Sequence, residues 1–399
     1  MTSLLTLDEA QARVLELARP LPSEPVPVAE AGGRVTAEEI RARVDLPPFP
    51  SSAMDGFAVR AVDLPGTLLI AGESAAGRPH AAPLEPRSAV AISTGAVVPE
   101  GADAVVPVEV VARYDNRVEI LQAAEEGAHV RPRGDDIAAG DVVVPAGTRL
   151  TPARLAATAA SGIAELACRR RPRVAVLATG SELVAPGDEL SPGQIYETNT
   201  LMLGAALAAE GADVLSEQPV ADDEQALREA LERGLAADVL VTSGGVSVGE
   251  HDLVRAVERE LGVEEVFWRV SIKPGKPVSF GVRAGTLVFG LPGNPVSALV
   301  ACELFVKPAL RALQGLEHPL PRFEPGRLAT ALRRNEDRDE FVRARSSVDG
   351  DAVLLEPLLG QESHMIVRSG AADALVHVPR GNGELTAGST VRWLRFAGA

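Results

Sequence analysis

The chain has 399 residues, 46% of them hydrophobic and 24% charged, which supports folded cores and excludes a disordered chain. At roughly 100–200 residues per domain the length suggests two to four domains. The formal net charge of −16 makes it a poor non-specific binder of nucleic acid, because duplex binding depends on Lys and Arg neutralising phosphates. Two cysteines, Cys168 and Cys302, are too few for a disulfide framework or a Cys-based zinc site. The six histidines form no HxH or HExxH pattern. No run of about 18 apolar residues predicts a membrane span. Asp8 and Glu9 stand where a secretory leader would be basic and then apolar, so the expected location is the cytoplasm.

In chain order, Thr6-Leu7-Asp8-Glu9 reads as a capping box that opens an amphipathic helix through Leu17. A second helix is expected at about 30–42, before the Pro47-Pro48-Phe49-Pro50 cluster. Residues 51–145 change to short Val/Ile runs (Ala89–Ile92, Ala104–Val108, Val118–Leu121, Val142–Val144) broken by Gly and Pro, the pattern of a small β domain. Residues 151–168 read as a helix with Thr151 as N-cap and Pro152 at the first helical position. From 173 to 313 apolar strands alternate with helices: strands Arg173–Ala178, Asp213–Glu217, Asp238–Thr242 and Thr286–Phe289, helices at 198–210, 222–234, 251–261 and 295–313. That alternation predicts a parallel, doubly wound sheet. After Pro319 short alternating runs return (Phe341–Arg345, Ala352–Leu355, Ala374–Pro379, Thr390–Phe396), the mark of a small C-terminal β domain.

In an open α/β sheet ligands bind beyond the carboxyl ends of the strands. Three strand ends here are alike in being rich in glycine and hydroxyl residues. They are Thr179-Gly180-Ser181-Glu182, Thr242-Ser243-Gly244-Gly245-Val246-Ser247, and Gly290-Leu291-Pro292-Gly293-Asn294-Pro295-Val296-Ser297. Their glycines allow close backbone approach, and the last two run toward helix starts, a geometry suited to anions. One such turn is ordinary strand-to-helix punctuation; three at one sheet edge favour a phosphate-bearing ligand. Asn294 and Pro295 also read simply as N-cap and first helical residue. In Ser271-Ile272-Lys273-Pro274-Gly275-Lys276-Pro277, two lysines sit on a proline-stiffened turn, either a solvated surface turn or a rigid pair of point charges for an oxyanion. Glu182, Asp222, Asp223 and Asp252 are carboxylates beside these turns, of the kind that hold Mg²⁺ against substrate phosphates. Asp222 reads equally as a helix N-terminal acid. Residues 51–60, Ser93-Thr94-Gly95 and Gly134-Asp135-Asp136 read as turns with no site signal of their own.

Ten segments in order, SSAMDGFAVR, ISTGAVVPEGADAVVPVE, RGDDI, LATGSELV, IYETNT, TSGGVSVGEHD, IKPGKPVSFG, GLPGNPVSALV, EFVRAR and QESHM, resemble the molybdopterin molybdenumtransferase family, the bacterial MoeA type also found as the E domain of gephyrin. The resemblance covers nearly the whole chain. It implies a multidomain α/β plus β fold: an extended helical domain (1–45 with 146–170), a β domain (46–145), a doubly wound molybdopterin-binding α/β domain (171–318) and a small C-terminal β-barrel (319–399).

The implied activity is insertion of molybdenum from molybdate into adenylylated molybdopterin, with Mg²⁺-dependent cleavage of the phosphoanhydride and release of AMP and molybdenum cofactor. A homodimer with its active site between subunits, and a transient contact with a molybdopterin adenylyltransferase, are also implied. Glu182, Asp222 and Asp252 would hold the metal and pyrophosphate region. Thr179, Gly180, Ser243, Gly244, Gly245 and Ser247 would contact the substrate. Lys273 and Lys276 would supply positive charge. Lys276, Ser297, Arg343 and Ser363 would form the molybdate pocket, walled by Pro292, Gly293, Asn294 and Pro295. Asp55, Thr94 and Asp136 match functional positions of the β domain. Phe57 stands where the family often has Tyr, and Arg269 where it often has Lys. An adenylyltransferase shares the TSGG turn but needs neither the β domain, the KPGKP loop nor the C-terminal domain. A scaffold without catalysis would not need Asp252, Lys273, Lys276, Arg343 and Ser363 intact.

Overall fold

The computed structural model describes residues 4–216, 219–220, 223–245 and 253–396. The chain divides into two compact units, Pro25–Cys168 and Met1–Glu24 with Arg169–Ala399.

In the Pro25–Cys168 unit the short Val/Ile runs form a six-stranded sheet, in the order Ala104–Pro107, Gly56–Val59, Ser88–Ile92, Gly66–Ser74, Arg117–Ile120, Ala112–Tyr114. One cluster of Phe57, Val59, Leu68, Val106, Val118 and Ile120 forms its main core. The helix expected at about 30–42 is absent. Gly33 takes φ +74° and ends any helical run. Beyond it Val35 bridges Arg149, Thr36 bridges Cys168, and Ile40–Arg41 pairs with Val142–Val144. The helix expected over 151–168 starts as read, with Thr151 accepting from the Arg154 N–H, but it stops at Ala160. Gly162 turns the chain at φ +81°, and Glu165–Arg169 is a strand that buries Leu166 and Cys168. A two-residue period and a glycine stop override the helical composition there.

In the other unit, α1 (Leu7–Leu17) begins with the expected capping box, the Thr6 hydroxyl accepting from the Glu9 N–H and Glu9 from the Thr6 N–H. It buries Leu7, Ala10 and Val14 in the same core as the α/β sheet. That sheet comprises β1 (Arg173–Ala178), β2 (Asp213–Ser216), β3 (Val239–Ser243), β4 (Glu264–Trp268), β5 (Ser279–Arg283) and β6 (Thr286–Leu291). Its order is β2-β1-β3-β6-β5-β4. The first four strands are parallel, as the alternating pattern predicts. Two further strands that the sequence reading did not include, β5 and β4, are antiparallel. A two-residue turn, Ala284-Gly285 with φ +49° and +94°, joins β5 to β6. So short a connection can only make antiparallel neighbours, and two positive φ values suit a type I′ hairpin.

Helices α2 (Asn199–Ala209), α3 (Glu224–Gly234) and α4 (Leu253–Glu260) cover the sheet, together with the helix expected at 295–313. The last is α5 (Pro295–Ala301), a π-type segment Cys302–Val306 and α6 (Lys307–Leu313). Gln11 of α1 donates to Leu304 O at 2.8 Å within that segment. Lys307, the first residue of α6, pairs with Glu303 of that segment, and both are buried.

The C-terminal region contains β7 (Glu324–Leu328), β8 (Asp339–Asp349), β9 (Ala352–Pro357), α7 (Ile366–Ser369), β10 (Ala374–Val378) and β11 (Thr390–Arg395). The strands run β8-β9-β7-β11-β10 and close β10 onto β8, a five-stranded barrel around Val342, Leu355, Val376 and Trp393. Closure removes exposed sheet edges. The start of β8 also continues beyond the barrel, where Ile272–Lys273 pairs parallel with Asp339 and Glu340.

Candidate ligand cavity of the α/β domain

The three Gly-rich strand ends converge. Thr179, Gly180 and Glu182 after β1, Ser243 at the end of β3 with Gly244 and Gly245 after it, and Pro292, Gly293, Asn294 and Pro295 after β6 line one cavity of about 740 Å³. The volume is within the ~300–1,000 Å³ of small-molecule sites. The loops are tied to one another: Thr179 N–H donates to Ser243 O and Gly244 N–H to Leu291 O, each at 3.1 Å. Gly244 takes φ +103°, and a Cβ on it would lie 2.6 Å from Thr179 O. A Cβ on Gly180 would lie 2.5 Å from Glu182 Oε2, so the carboxylate folds back over that residue.

One cross-link has no counterpart among the residues the sequence singles out. Asn199, the first residue of α2, is buried, and its Nδ2 donates to Ser243 Oγ at 2.8 Å and Gly293 O at 2.7 Å. It thereby fastens the second strand end to the third. Its segment, IYETNT, belongs to the family resemblance, but the residue pattern gives Asn199 no role of its own. Glu197 before it is buried and accepts from the Thr200 N–H at 2.9 Å and from the Thr200 hydroxyl. Tyr196, His364 and Ile366 also line the cavity, although the sequence gives none of them a site signal. Among the described lining residues are two carboxylates, Glu182 and Glu197, and no lysine or arginine.

Positive charge comes from the Lys-Pro-Gly-Lys loop beside it. Arg269 N–H donates to Val278 O and Val270 N–H to Lys276 O, at 2.9 and 3.0 Å, closing residues 269–278 into a hairpin. The two lysines differ. Lys273 Nζ pairs with Glu340 Oε1 of β8 at 2.9 Å. Lys276 is half-buried and has no ion-pair partner among the described residues. Pro277 reaches the cavity wall. A Cβ on Gly275 would lie 3.6 Å from Ser297 O, so the hairpin lies against the first turn of α5, where Ser297 is buried.

Asn294 occupies the N-cap position but makes no side-chain cap, contrary to its simplest reading. Its Nδ2 donates instead to Ser363 Oγ at 2.9 Å, and Val296 N–H donates to Ser363 O at 3.1 Å. Ser363 is thus brought to the mouth of α5. Arg343, on β8, is 1% exposed, and its guanidinium bonds to residues of the 360–369 segment. Burial pulls its pKa below the ordinary value, with Glu362 opposing. Lys273, Lys276, Ser297, Arg343 and Ser363 are not among the residues lining the cavity itself.

In the Pro25–Cys168 unit, Asp55 Oδ1 accepts from the Thr94 N–H at 2.6 Å and from Thr94 Oγ1 at 2.9 Å. The backbone bond, then the hydroxyl bond, holds the Asp55 carboxyl below its usual value. Asp136 is anchored through its backbone, donating to Leu46 O at 2.8 Å. Asp222, Ser247 and Asp252 lie outside the described residues. Among the described residues no group of three or more His, Cys, Asp or Glu side chains is placed to hold a metal ion. Glu182 is the expected metal-side carboxylate that the described cavity includes.

A doubly wound domain with a cavity of this size at the carboxyl ends of its parallel strands, beside a lysine hairpin and a closed β-barrel, defines the class as a small-molecule-binding α/β protein. Residues 5–162 match the family described as "MoeA N-terminal region (domain I and II)", residues 175–312 the "Probable molybdopterin binding domain", and residues 325–396 the "MoeA C-terminal region (domain IV)". The chain is 39% identical to a protein of Mycobacterium tuberculosis named molybdopterin molybdenumtransferase 2, over 97% of this chain and 98% of that one. It is 38% identical to molybdopterin molybdenumtransferase of Haemophilus influenzae, with the same coverages. The solved molybdopterin biosynthesis MoeA protein of Pyrococcus horikoshii OT3 shares the fold, with a TM-score of 0.86 at 28% identity over 99% of this chain and 100% of that one. The chain belongs to the MoeA family of molybdopterin molybdenumtransferases.

Proposed function

We propose that this protein is a transferase of molybdenum cofactor biosynthesis that inserts molybdenum into molybdopterin. The observation that carries this reading is the convergence of three Gly-rich strand ends on one cavity, with the lysine hairpin and Ser363 beside the third. In finer detail, the substrates are adenylylated molybdopterin and molybdate. Water adds across the phosphoanhydride to give AMP and the molybdopterin phosphate, while the two dithiolene thiols bond to molybdenum and one molybdate oxygen leaves with their protons as water. The division into four domains, a homodimer with its active site between subunits, a cytoplasmic location and a transient adenylyltransferase contact are part of the same proposal. Among the described residues no helix is long and apolar enough to cross a membrane.

The chemistry follows from charge placement. Molybdate and the phosphoanhydride are anions, while the chain carries −16, so the positive charge that attracts them must be local, and the lysine hairpin beside the cavity supplies it. Lys276, free of a carboxylate partner among the described residues, is the cation best placed to attract an oxyanion. Ser363 Oγ accepts a hydrogen bond from Asn294 and so keeps its own proton to donate. Ser297 joins from the first turn of α5. The backbone of Gly180, Gly244, Gly245 and Gly293 allows close approach of the molybdopterin phosphate. Molybdate is itself the incoming group, so positioning and electrostatics do the work and no covalent nucleophile is needed.

Glu182, with its hard oxygen donors on the cavity wall, fits a magnesium ligand; Asp222 and Asp252 would complete the set. When bound, Mg²⁺ would neutralise charge developing on the departing phosphate. Asp55, with its carboxylate oriented by Thr94, and Asp136 are proposed to take part from the β domain. The test incubates the purified protein with adenylylated molybdopterin, Mg²⁺ and micromolar molybdate, following AMP release and reconstitution of an apo-molybdoenzyme. Molybdate-dependent AMP release with active cofactor supports the reading; nucleotide binding without turnover overturns it in favour of a carrier.

A further inference from the structure

We infer that His364 carries the protons of the molybdenum-insertion step, taking them from the dithiolene thiols and handing them to the molybdate oxygen that leaves as water. This inference rests on the functional reading above. The titratable side chains among the described lining residues of the cavity are those of Glu182, Tyr196, Glu197 and His364. Three of them are engaged elsewhere. Glu197 is buried and accepts from the Thr200 N–H at 2.9 Å and from the Thr200 hydroxyl. The Tyr196 O–H donates to Asp188 O at 3.0 Å. Glu182 folds back over Gly180 at the end of β1, where it fits a magnesium ligand. His364 is exposed on the cavity wall, and its imidazole makes no hydrogen bond or ion pair among the described residues.

The backbone that carries this free ring is fixed. Ser363, just before it, accepts from Asn294 Nδ2 at 2.9 Å and from the Val296 N–H at 3.1 Å. His364 O accepts from the Ile366 N–H at 2.9 Å, and Ile366 packs on the main core of the α/β domain. Sulfur meets molybdenum between the Gly-rich ends, which suit the phosphate, and the oxyanion groups at the first turn of α5. His364 follows Ser363 directly, so its imidazole stands on the wall at that junction. The step balances without an oxidant or reductant. Two S–H bonds break as two S–Mo bonds form, one Mo–O bond breaks, molybdenum stays hexavalent, and both protons end on the departing oxygen. A thiol of ordinary pKa, about 8.5, is mostly protonated at pH 7, so the protons need a carrier. Imidazole accepts at one ring nitrogen while it donates from the other, and it changes charge between about pH 5 and 8. An ammonium such as that of Lys276 has donors only and no lone pair to receive a proton.

The test compares the unmutated full-length protein with His364→Gln and His364→Ala, in single turnover with adenylylated molybdopterin, Mg²⁺ and a range of molybdate concentrations. It reads the rate of molybdenum insertion by reconstitution of an apo-molybdoenzyme, the half-saturating molybdate concentration and the thermal midpoint. A positioned proton carrier contributes about 10²–10⁴-fold, so both variants should insert molybdenum about a hundredfold or more slowly. Half-saturating molybdate and the thermal midpoint should not move, because His364 is exposed and carries no bond of the fold through its ring. Added imidazole should restore most of the rate to His364→Ala, whose short side chain leaves room for it. It should restore none to His364→Gln, whose amide fills that room with hydrogen-bonding groups but relays no proton. A His364→Gln protein that inserts at the unmutated rate overturns the inference, making the residue a hydrogen-bonding wall; so does a His364→Ala deficit that imidazole leaves in place. Failure of the functional reading is a separate result: the unmutated protein itself would yield no molybdate-dependent cofactor, and the inference would fall with it.

Discussion

Replacing Gly244 by Ala tests whether the three strand ends form one fitted site. The added Cβ would meet Thr179 O at 2.6 Å and Thr179 Oγ1 at 2.9 Å. The first of these is backbone, so the contact is not relieved by a side-chain rotation. Overpacking of this kind costs about 1–3 kcal/mol. The φ of +103° adds roughly 1–2 kcal/mol for a residue with a side chain. Together they reach about 2–5 kcal/mol, below the ~5–15 kcal/mol stability of a typical domain, so the variant should fold. The expected relief is a shift of the Gly244 loop away from Thr179, loosening the 3.1 Å bond between Thr179 N–H and Ser243 O and widening the cavity. Thermal unfolding should fall by about 2–4 °C per kcal/mol for a unit of this size class. A displacement near 1 Å can cost about 10²-fold in rate, so kcat/KM for the molybdopterin nucleotide should fall about ten- to hundredfold. A Gly244→Ala protein with unchanged melting and unchanged kinetics would refute the claim that close packing of these loops forms the site.

Other consequences are equally direct. Lys276→Ala should raise the KM for molybdate about tenfold or more, and Lys273→Ala less, because Lys273 already spends its charge on Glu340; equal effects in steady-state kinetics would contradict the distinction. Lys307→Met should cost about 3–5 kcal/mol by stranding the buried Glu303 carboxylate, whereas Glu303→Leu combined with Lys307→Met should recover most of that loss in chemical denaturation. Burial pushes the Asp238 carboxyl up, but bonds from Arg170 at 2.8 and 2.9 Å and from the Arg173 N–H outweigh it, so its pKa lies below the usual value. Its stabilising contribution is therefore complete above the ordinary carboxylate range and fades as pH falls through the lowered value. Asp238→Asn should flatten the acid limb of a denaturation midpoint plotted against pH, and an unchanged limb would show that other groups govern it.

Much of this protein was determined by its sequence alone, for physical reasons that act locally. Thr6 and Glu9 state a helix start because the capping box is a contact between residues three apart. The apolar run Arg173–Ala178 states a buried parallel strand because both its faces must avoid water. Gly-rich strand ends announce a place where backbone meets ligand. Local patterns misled where a stop or a distant partner decided the outcome: residues from Val35 onward pair as strands with residues about a hundred positions away, and Gly162 ends a helix that composition would continue.

Only the tertiary structure decided how the candidate residues divide their work. Lys273 and Lys276 look alike on one short loop, yet β8 supplies Glu340 to the first, while the second meets no carboxylate among the described residues. Asn294 reads as a cap and instead binds Ser363, and Asn199, to which the sequence gives no role of its own, joins two strand ends. Arg343 reads as a cation for an anion and is buried among the oxygens of the 360–369 segment. Residue type specifies which bonds a side chain is able to make, but the fold alone brings the partner that takes them, because those partners are contributed by distant parts of the chain.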